Sequence, residues 1–126
     1  MNEEPDLQGL RVLVAEDEAL VAMLIEEMCA DLRCDVVGPF TTLEDALEAT
    51  HKGDFDVAII DMNLEGLKAD PVIAELHGRS IPFAIASGGA EARHDPRVEL
   101  VLDKPFSFEQ LAECVTKLAA QQRTMQ

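Results

Sequence analysis

Val12-Leu13-Val14-Ala15-Glu16-Asp17 passes from four apolar side chains straight into two carboxylates, with no turn residue between. The run is too short for a helix, and nothing alternates along it to give a wet face. It reads as a strand covered on both sides, the kind parallel sheets use. Three more stretches share the form. Val57–Ile60 runs into Asp61, Phe83–Ala86 into Ser87, and Leu100–Leu102 into Asp103 and Lys104. As parallel strands of one sheet, they gather all these groups at its carboxyl edge, where open α/β proteins bind ligands. Glu16, Asp17 and Asp61 with a hydroxyl and an ammonium in one crevice suit a divalent cation and a phosphoryl group.

Between the strands the period changes to that of helices. Leu20, Val21, Leu24, Ile25 and Met28 recur at helical spacing opposite Glu26, Glu27 and Asp31, predicting a first helix over roughly 18–31. Asp35–Val37 starts a second strand that Gly38-Pro39 is expected to stop. Thr41–Asp45 resembles a capping box, so a second helix is expected from Leu43 to Thr50, broken by Gly53-Asp54. After the third strand, Phe55–Ile60, a loop runs from Met62 to about Ala69. Pro71 marks the first turn of a third helix that ends at Gly78. Strands four and five are expected at Pro82–Ala86 and Glu99–Leu102. Ser107-Phe108-Glu109-Gln110 then opens a last helix with Phe108, Leu111, Val115 and Leu118 on its apolar face.

Strands alternating with helices predict a doubly wound α/β domain with helices on both faces of the sheet. One interval breaks the alternation. Gly88–Pro96 has two glycines, a proline and no apolar stripe, so the fourth helix is expected to be short or missing. The 126 residues suit a single domain, read as a polar lead-in over 1–9, the domain over 10–121 and a tail over 122–126.

Composition narrows the function. A net charge of −15 argues against nucleic acid, whose phosphates call for Lys and Arg. No stretch suits a membrane span or a signal peptide, which places the protein in the cytoplasm, away from the membrane. The three cysteines, Cys29, Cys34 and Cys114, lack a CxxC pair and read as reduced and buried. His51, His77 and His94 lack metal-ligand spacing.

The strand-end residues fall into roles. A carboxylate at Asp61 is fixed by the sheet and open at the rim, where it can attack phosphorus and form an acyl phosphate. Alone, such a residue more often caps a loop. Glu16 and Asp17 change the balance, because three neighbouring carboxylates repel one another unless a cation sits among them. Mg²⁺ fits, with Asp17 and Asp61 as direct ligands, Glu16 through water and the Asn63 backbone carbonyl completing the set. Glu16, Asp17 and Glu18 could equally favour the start of the first helix through its dipole. Lys104 holds the free carboxylate ionised and then pairs with a phosphoryl oxygen. Pro105 after it suggests a turn with a cis peptide that aims the lysine inward. Ser87 offers a hydroxyl to the same oxygens, and Gly88 leaves room above.

In this order and spacing, Val12–Glu18, Asp61-Met62-Asn63-Leu64, Ala86-Ser87-Gly88 and Asp103-Lys104-Pro105-Phe106 resemble the receiver domain of two-component response regulators. The resemblance extends from about Leu10 to the last helix. It implies a flavodoxin-like five-stranded parallel sheet of order 2-1-3-4-5. It also implies that Asp61 accepts a phosphoryl group, with Mg²⁺, from a histidine kinase or histidine phosphotransfer protein. Phosphotransfer and hydrolysis would then be self-catalysed, in a signalling phosphoacceptor rather than an enzyme, with Ser87 swinging toward the new group.

Leu7–Arg11, Gly38-Pro39 and Asp61–Leu64 look like certain alphaproteobacterial receivers, stand-alone or attached to unusual histidine kinases. Some of those carry Phe-Ala-Thr-Gly where this chain has Ile85-Ala86-Ser87-Gly88. Most receivers place Tyr or Phe three residues before the lysine; here Val101 stands there, so the aromatic half of the usual switch is missing. Readout is therefore expected through Gly88–Pro96 and the last helix, to an unknown downstream protein. With the chain ending at Gln126, output is expected through protein contact or as a phosphate sink, unless the domain comes from a hybrid kinase. A haloacid-dehalogenase-type phosphatase is disfavoured, because Asn63 stands where it needs a second acid. A pseudo-receiver that binds partners without phosphorylation has no need of the strand-end set.

Overall fold

The structure, a computed structural model, describes residues 7–124. Its strands are β1 (Arg11–Ala15), β2 (Asp35–Phe40), β3 (Val57–Asp61), β4 (Phe83–Ser87) and β5 (Leu100–Asp103). Its helices are α1 (Ala19–Asp31), α2 (Leu43–Lys52), α3 (Asp70–Gly78) and α4 (Phe108–Thr124). All four strand pairings are parallel, in the order β2-β1-β3-β4-β5, as the resemblance implied. Two further strands of two residues each, Asn63–Leu64 and Leu67–Lys68, form a small antiparallel hairpin within the stretch expected to be a plain loop.

Apolar residues at both parities of the strands explain the layers. Val12, Val14, Val57 and Ile59 face α1 and α4, packing with Ile25, Cys29, Leu111, Val115 and Leu118. Leu13, Ala58, Ile60 and Ile85 face the other way, against Ala46, Val72, Ile73 and Leu76 of α2 and α3. A one-sided amphipathic strand could not support both layers. Among the described residues, no helix is long and apolar enough to cross a membrane.

Local chemistry sets the helix ends. Thr42 Oγ1 accepts from the Asp45 amide (3.1 Å), and Gly53 closes α2 in the left-handed region at φ 72°. Ser107 and Gln110 form a full capping box: the Gln110 amide donates to Ser107 Oγ (3.1 Å), and the Ser107 amide donates to Gln110 Oε1 (2.8 Å). As expected, no helix forms between β4 and β5, where one 3-10 turn, Glu91–His94, stands instead.

Three expectations need correction. Gly38-Pro39 does not stop β2. The strand runs to Phe40 through a register shift and a cis Gly38–Pro39 peptide. On α1, Ile25 is buried and Val21 and Met28 pack against the same core as expected, but Ala22 and Cys29 are buried beside them while Leu20 is 81% exposed and Leu24 43%. On α4, Phe108 is exposed and Cys114 and Ala119 are buried in its place beside Leu111, Val115 and Leu118. Leu7 packs against the α1–α4 core, its carbonyl accepts from the Leu10 amide (3.0 Å), and α4 continues through Thr124. The rest of the 1–9 lead-in, up to residue 6, and residues 125–126 of the tail lie outside the described residues.

Candidate functional site

Parallel register brings the strand ends into one row. Asp61 pairs with Ala86, Ser87 pairs with Asp103, and the Lys104 amide donates to the Ser87 carbonyl (2.9 Å). Glu16 follows β1 directly, and its amide donates to the Phe40 carbonyl at the end of the bulged β2 (2.9 Å). The shift in β2 thus places an acceptor opposite the first acid of the pair.

Around this row, Glu16, Asp17 and Asp61 each present a carboxylate oxygen within 4.8 Å of the others. Glu16 and Asp61 are buried and Asp17 half-buried. Lys104 Nζ lies between two of them, 3.1 Å from Asp61 Oδ2 and 2.7 Å from Glu16 Oε1, with Glu18 further out at 3.9 Å. The remaining oxygens meet backbone amides. Asp61 Oδ1 accepts from Asn63 (3.2 Å), Glu16 Oε2 from Glu18 (3.0 Å) and Asp17 Oδ2 from Glu65 (2.8 Å). Glu16 Oε1 meets Lys104 as an ion pair and has no well-aligned hydrogen bond.

Burial pushes the Glu16 carboxyl up to about 7, with Lys104 and the Glu18 amide opposing. Burial works against the Lys104 ammonium, yet its pairing with Glu16 and Asp61 outweighs that and raises it. Between the ordinary carboxylate range and about 7, the folded protein holds a proton at Glu16 that the unfolded chain releases, so stability falls as pH rises across that window. Metal-free protein is expected to lose on the order of 1–3 kcal/mol there, a loss that Glu16→Gln removes. Urea unfolding in EDTA from pH 5 to 8 measures it; identical slopes for both proteins would contradict the assignment.

The other sequence-selected residues are nearby in different roles. Ser87 Oγ is engaged within its own loop, accepting from the Gly89 amide (3.1 Å) and donating to the Gly89 carbonyl (3.3 Å). Gly88 has open space where a side chain would stand, and the Lys104–Pro105 peptide is cis. Val101 is half-buried against the α2–α3 core. Asp103 stands apart from the acid group, paired with Arg93 of the 3-10 turn. All three cysteines are free and buried, and burial pushes the Cys29 thiol up to about 12. No histidine joins a metal-ligating group among the described residues.

Sequence reasoning missed the contacts made from the backbone. The Phe40 carbonyl and the Glu65 amide touch the acid pair but leave no side-chain signature. Glu65-Gly66 between two short strands was the available hint, since a Gly-containing pair marks a two-residue hairpin.

The response regulator receiver domain family profile matches residues 12–116. Among solved structures, SdrG from Sphingomonas melonis Fr1 is 37% identical, with a TM-score of 0.77 over 87% of this chain and 96% of that one. PhyR, a response regulator from Brucella abortus, is 26% identical with a TM-score of 0.82 over 93% of this chain; the chain spans 50% of PhyR's length. The receiver domain of the sensor histidine kinase PA1611 from Pseudomonas aeruginosa PAO1 is 21% identical over 89% of this chain and 98% of that one. Its TM-score is 0.79, and it carries a magnesium ion coordinated in its active-site cleft. Comparison with curated protein sequences returned no match.

Proposed function

Because this chain belongs to the response regulator receiver domain family, we propose that Asp61 takes a phosphoryl group from a phosphohistidine, on a histidine kinase or a phosphotransfer protein. The observation that carries this reading is Lys104 Nζ set between Asp61 and Glu16, with Asp17 completing a three-carboxylate group. A structural ion pair needs one carboxylate. Three carboxylates grouped beside one ammonium exceed its charge, an excess that a cation relieves, and all donors are hard oxygens. Mg²⁺ suits such a set, held by Asp17 and Asp61, with Glu16 through water and the Asn63 carbonyl. The Pseudomonas receiver of the same fold, with magnesium in its cleft, supports Mg²⁺ as the ion. When bound there, the ion would supply charge neutralisation for the phosphoryl oxygens.

The chain's own residues do the rest. In transfer, the P–N bond to the donor imidazole breaks as a P–O bond to the Asp61 carboxylate forms, and imidazole leaves with its proton. Lys104 then exchanges its Asp61 contact for a phosphoryl oxygen. Ser87 must give up Gly89 to donate there, which draws on the segment that follows it. That segment is tied down at the surface by Lys68–Glu91 (2.6 Å), Arg93–Asp103 and Arg97–Asp70 (3.0 Å). Exposed pairs of this kind are each worth less than about 1 kcal/mol, so a group of charge about −2 can redistribute them. We read the protein as a signalling phosphoacceptor, with chemistry limited to its own phosphorylation and hydrolysis, and its output as contact with another protein.

Incubation with a small-molecule acyl phosphodonor and Mg²⁺ is expected to add one phosphoryl group by intact mass. EDTA should abolish the addition. Phosphorylation that proceeds equally in EDTA would overturn the magnesium assignment. No addition from either the small donor or a phosphorylated histidine domain would favour a phosphorylation-independent binding module.

A further inference from the structure

We propose that the 63–68 hairpin is a positioning device for Asp17, with Gly66 the residue that keeps the Glu65 amide aimed at its carboxylate. The inference rests on reading Glu16, Asp17 and Asp61 as a cation site. Asp17 stands beyond the end of β1, in the loop before α1, so no sheet register fixes its side chain. Its orientation comes from the Glu65 amide, 2.8 Å from Oδ2 and 48 residues away in sequence. Holding that oxygen leaves the other one for a cation.

The hairpin is built to reach this position. Asn63 pairs with Lys68 and Leu64 with Leu67, leaving Glu65-Gly66 as a two-residue turn. Both turn residues have positive φ, 50° for Glu65 and 83° for Gly66, the requirement of the turn that matches strand twist. Glu65 lacks the short amide or carboxylate that eases Asn and Asp into this region, so the conformation is held from outside. The hold is visible. Leu64 is fully buried, the Ala69 amide donates to the Met62 carbonyl across the base (2.9 Å), and Lys68 pairs with Glu91 (2.6 Å). Because the hairpin begins two residues after Asp61, one short segment sets the phosphoacceptor and steadies a second acid.

The chain contains its own control. Gly9 has φ 79°, close to that of Gly66, and a side chain at either position meets nothing within 4 Å. Gly66→Val and Gly9→Val therefore carry similar backbone strain, one beside the site and one away from it. Mg²⁺ affinity is measured by amide NMR titration of the full chain. Gly66→Val is expected to bind Mg²⁺ about tenfold more weakly, the scale of losing a partner that orients a metal ligand. Gly66→Asn, which tolerates positive φ, should restore affinity, and Gly9→Val should keep it. In phosphodonor assays Gly66→Val should shift the Mg²⁺ midpoint while the rate at saturating Mg²⁺ recovers.

Wild-type affinity in folded Gly66→Val, or an equal loss in Gly9→Val, would overturn the positioning role alone. If wild-type protein shows no Mg²⁺ site weakened by Asp61→Asn, the cation reading fails and the positioning role with it. Hydrogen exchange gives an independent arm that needs no metal: Asp17→Ala should strip protection from the Glu65 amide, and unchanged protection would sink the proposal.

Discussion

Asp61→Asn is expected to abolish phosphorylation, from small-molecule donors and phosphohistidine partners alike, while leaving the fold intact. The attacking group must be an anionic oxygen able to form a P–O bond and hold it as an acyl phosphate; a neutral amide of the same shape offers neither. The fold should survive because Asp61 ends its strand and its backbone pairing is with Ala86, independent of the side chain. The amide oxygen can still accept from Asn63, and Lys104 retains Glu16 at 2.7 Å. Intact mass after incubation with donor and Mg²⁺ reads the first part, and thermal unfolding reads the second. Phosphorylation persisting in this variant would move the phosphoacceptor to another residue. Loss accompanied by unfolding would make the variant uninformative about chemistry, and Asp61→Glu would then separate the two by keeping the charge while moving its position.

Gly38→Val is expected to produce the largest loss of stability of any single glycine change, about 3 kcal/mol, or roughly 10 °C in melting temperature. Gly38 sits at φ 109°, and a Cβ there would stand 2.8 Å from the Phe40 amide nitrogen and 2.9 Å from the Val14 carbonyl oxygen. Those are backbone atoms on the same strand and on its neighbour, and neither can swing aside. Left-handed strain of about 1–2 kcal/mol adds to the overlap. The damage should also reach the site, because the bulge carries the Phe40 carbonyl to the Glu16 amide. Gly9→Val supplies the strain without the overlap. Equal destabilisation of the two variants by urea unfolding would show that β2 accommodates a side chain and that the bulge is not sterically enforced.

Much of this was legible in the chain, for a definite reason. Short apolar runs with no alternation, bounded like Val57–Ile60 by polar residues, suit a strand covered on both faces, and parallel sheets carry their loops at fixed ends. Sheet order, the carboxyl-edge site and the membership of Asp61, Glu16, Asp17 and Lys104 follow from that constraint and the resemblance together. The missing helix between β4 and β5 was legible too, because Gly88-Gly89 and Pro96 offer the backbone no helical alternative. The edge of the α1 stripe was less so. Leu20 and Leu24 have the spacing of a buried stripe, yet they are exposed, while Val21, Ile25 and Met28 of the same run pack inward.

What sequence by itself determined here is the inventory: four acid-, hydroxyl- or lysine-bearing strand ends that a parallel sheet must bring to one edge. What only tertiary structure decided is how those groups are held. Lys104 bridges Asp61 and Glu16 across 43 and 88 residues, the β2 bulge delivers the Phe40 carbonyl to Glu16, and the hairpin amide of Glu65 steadies Asp17. The physical reason is that the latter two contacts come from backbone groups, which every residue possesses. Their direction is set by strand register and by turns of positive φ, so no side-chain pattern announces them before the chain has folded.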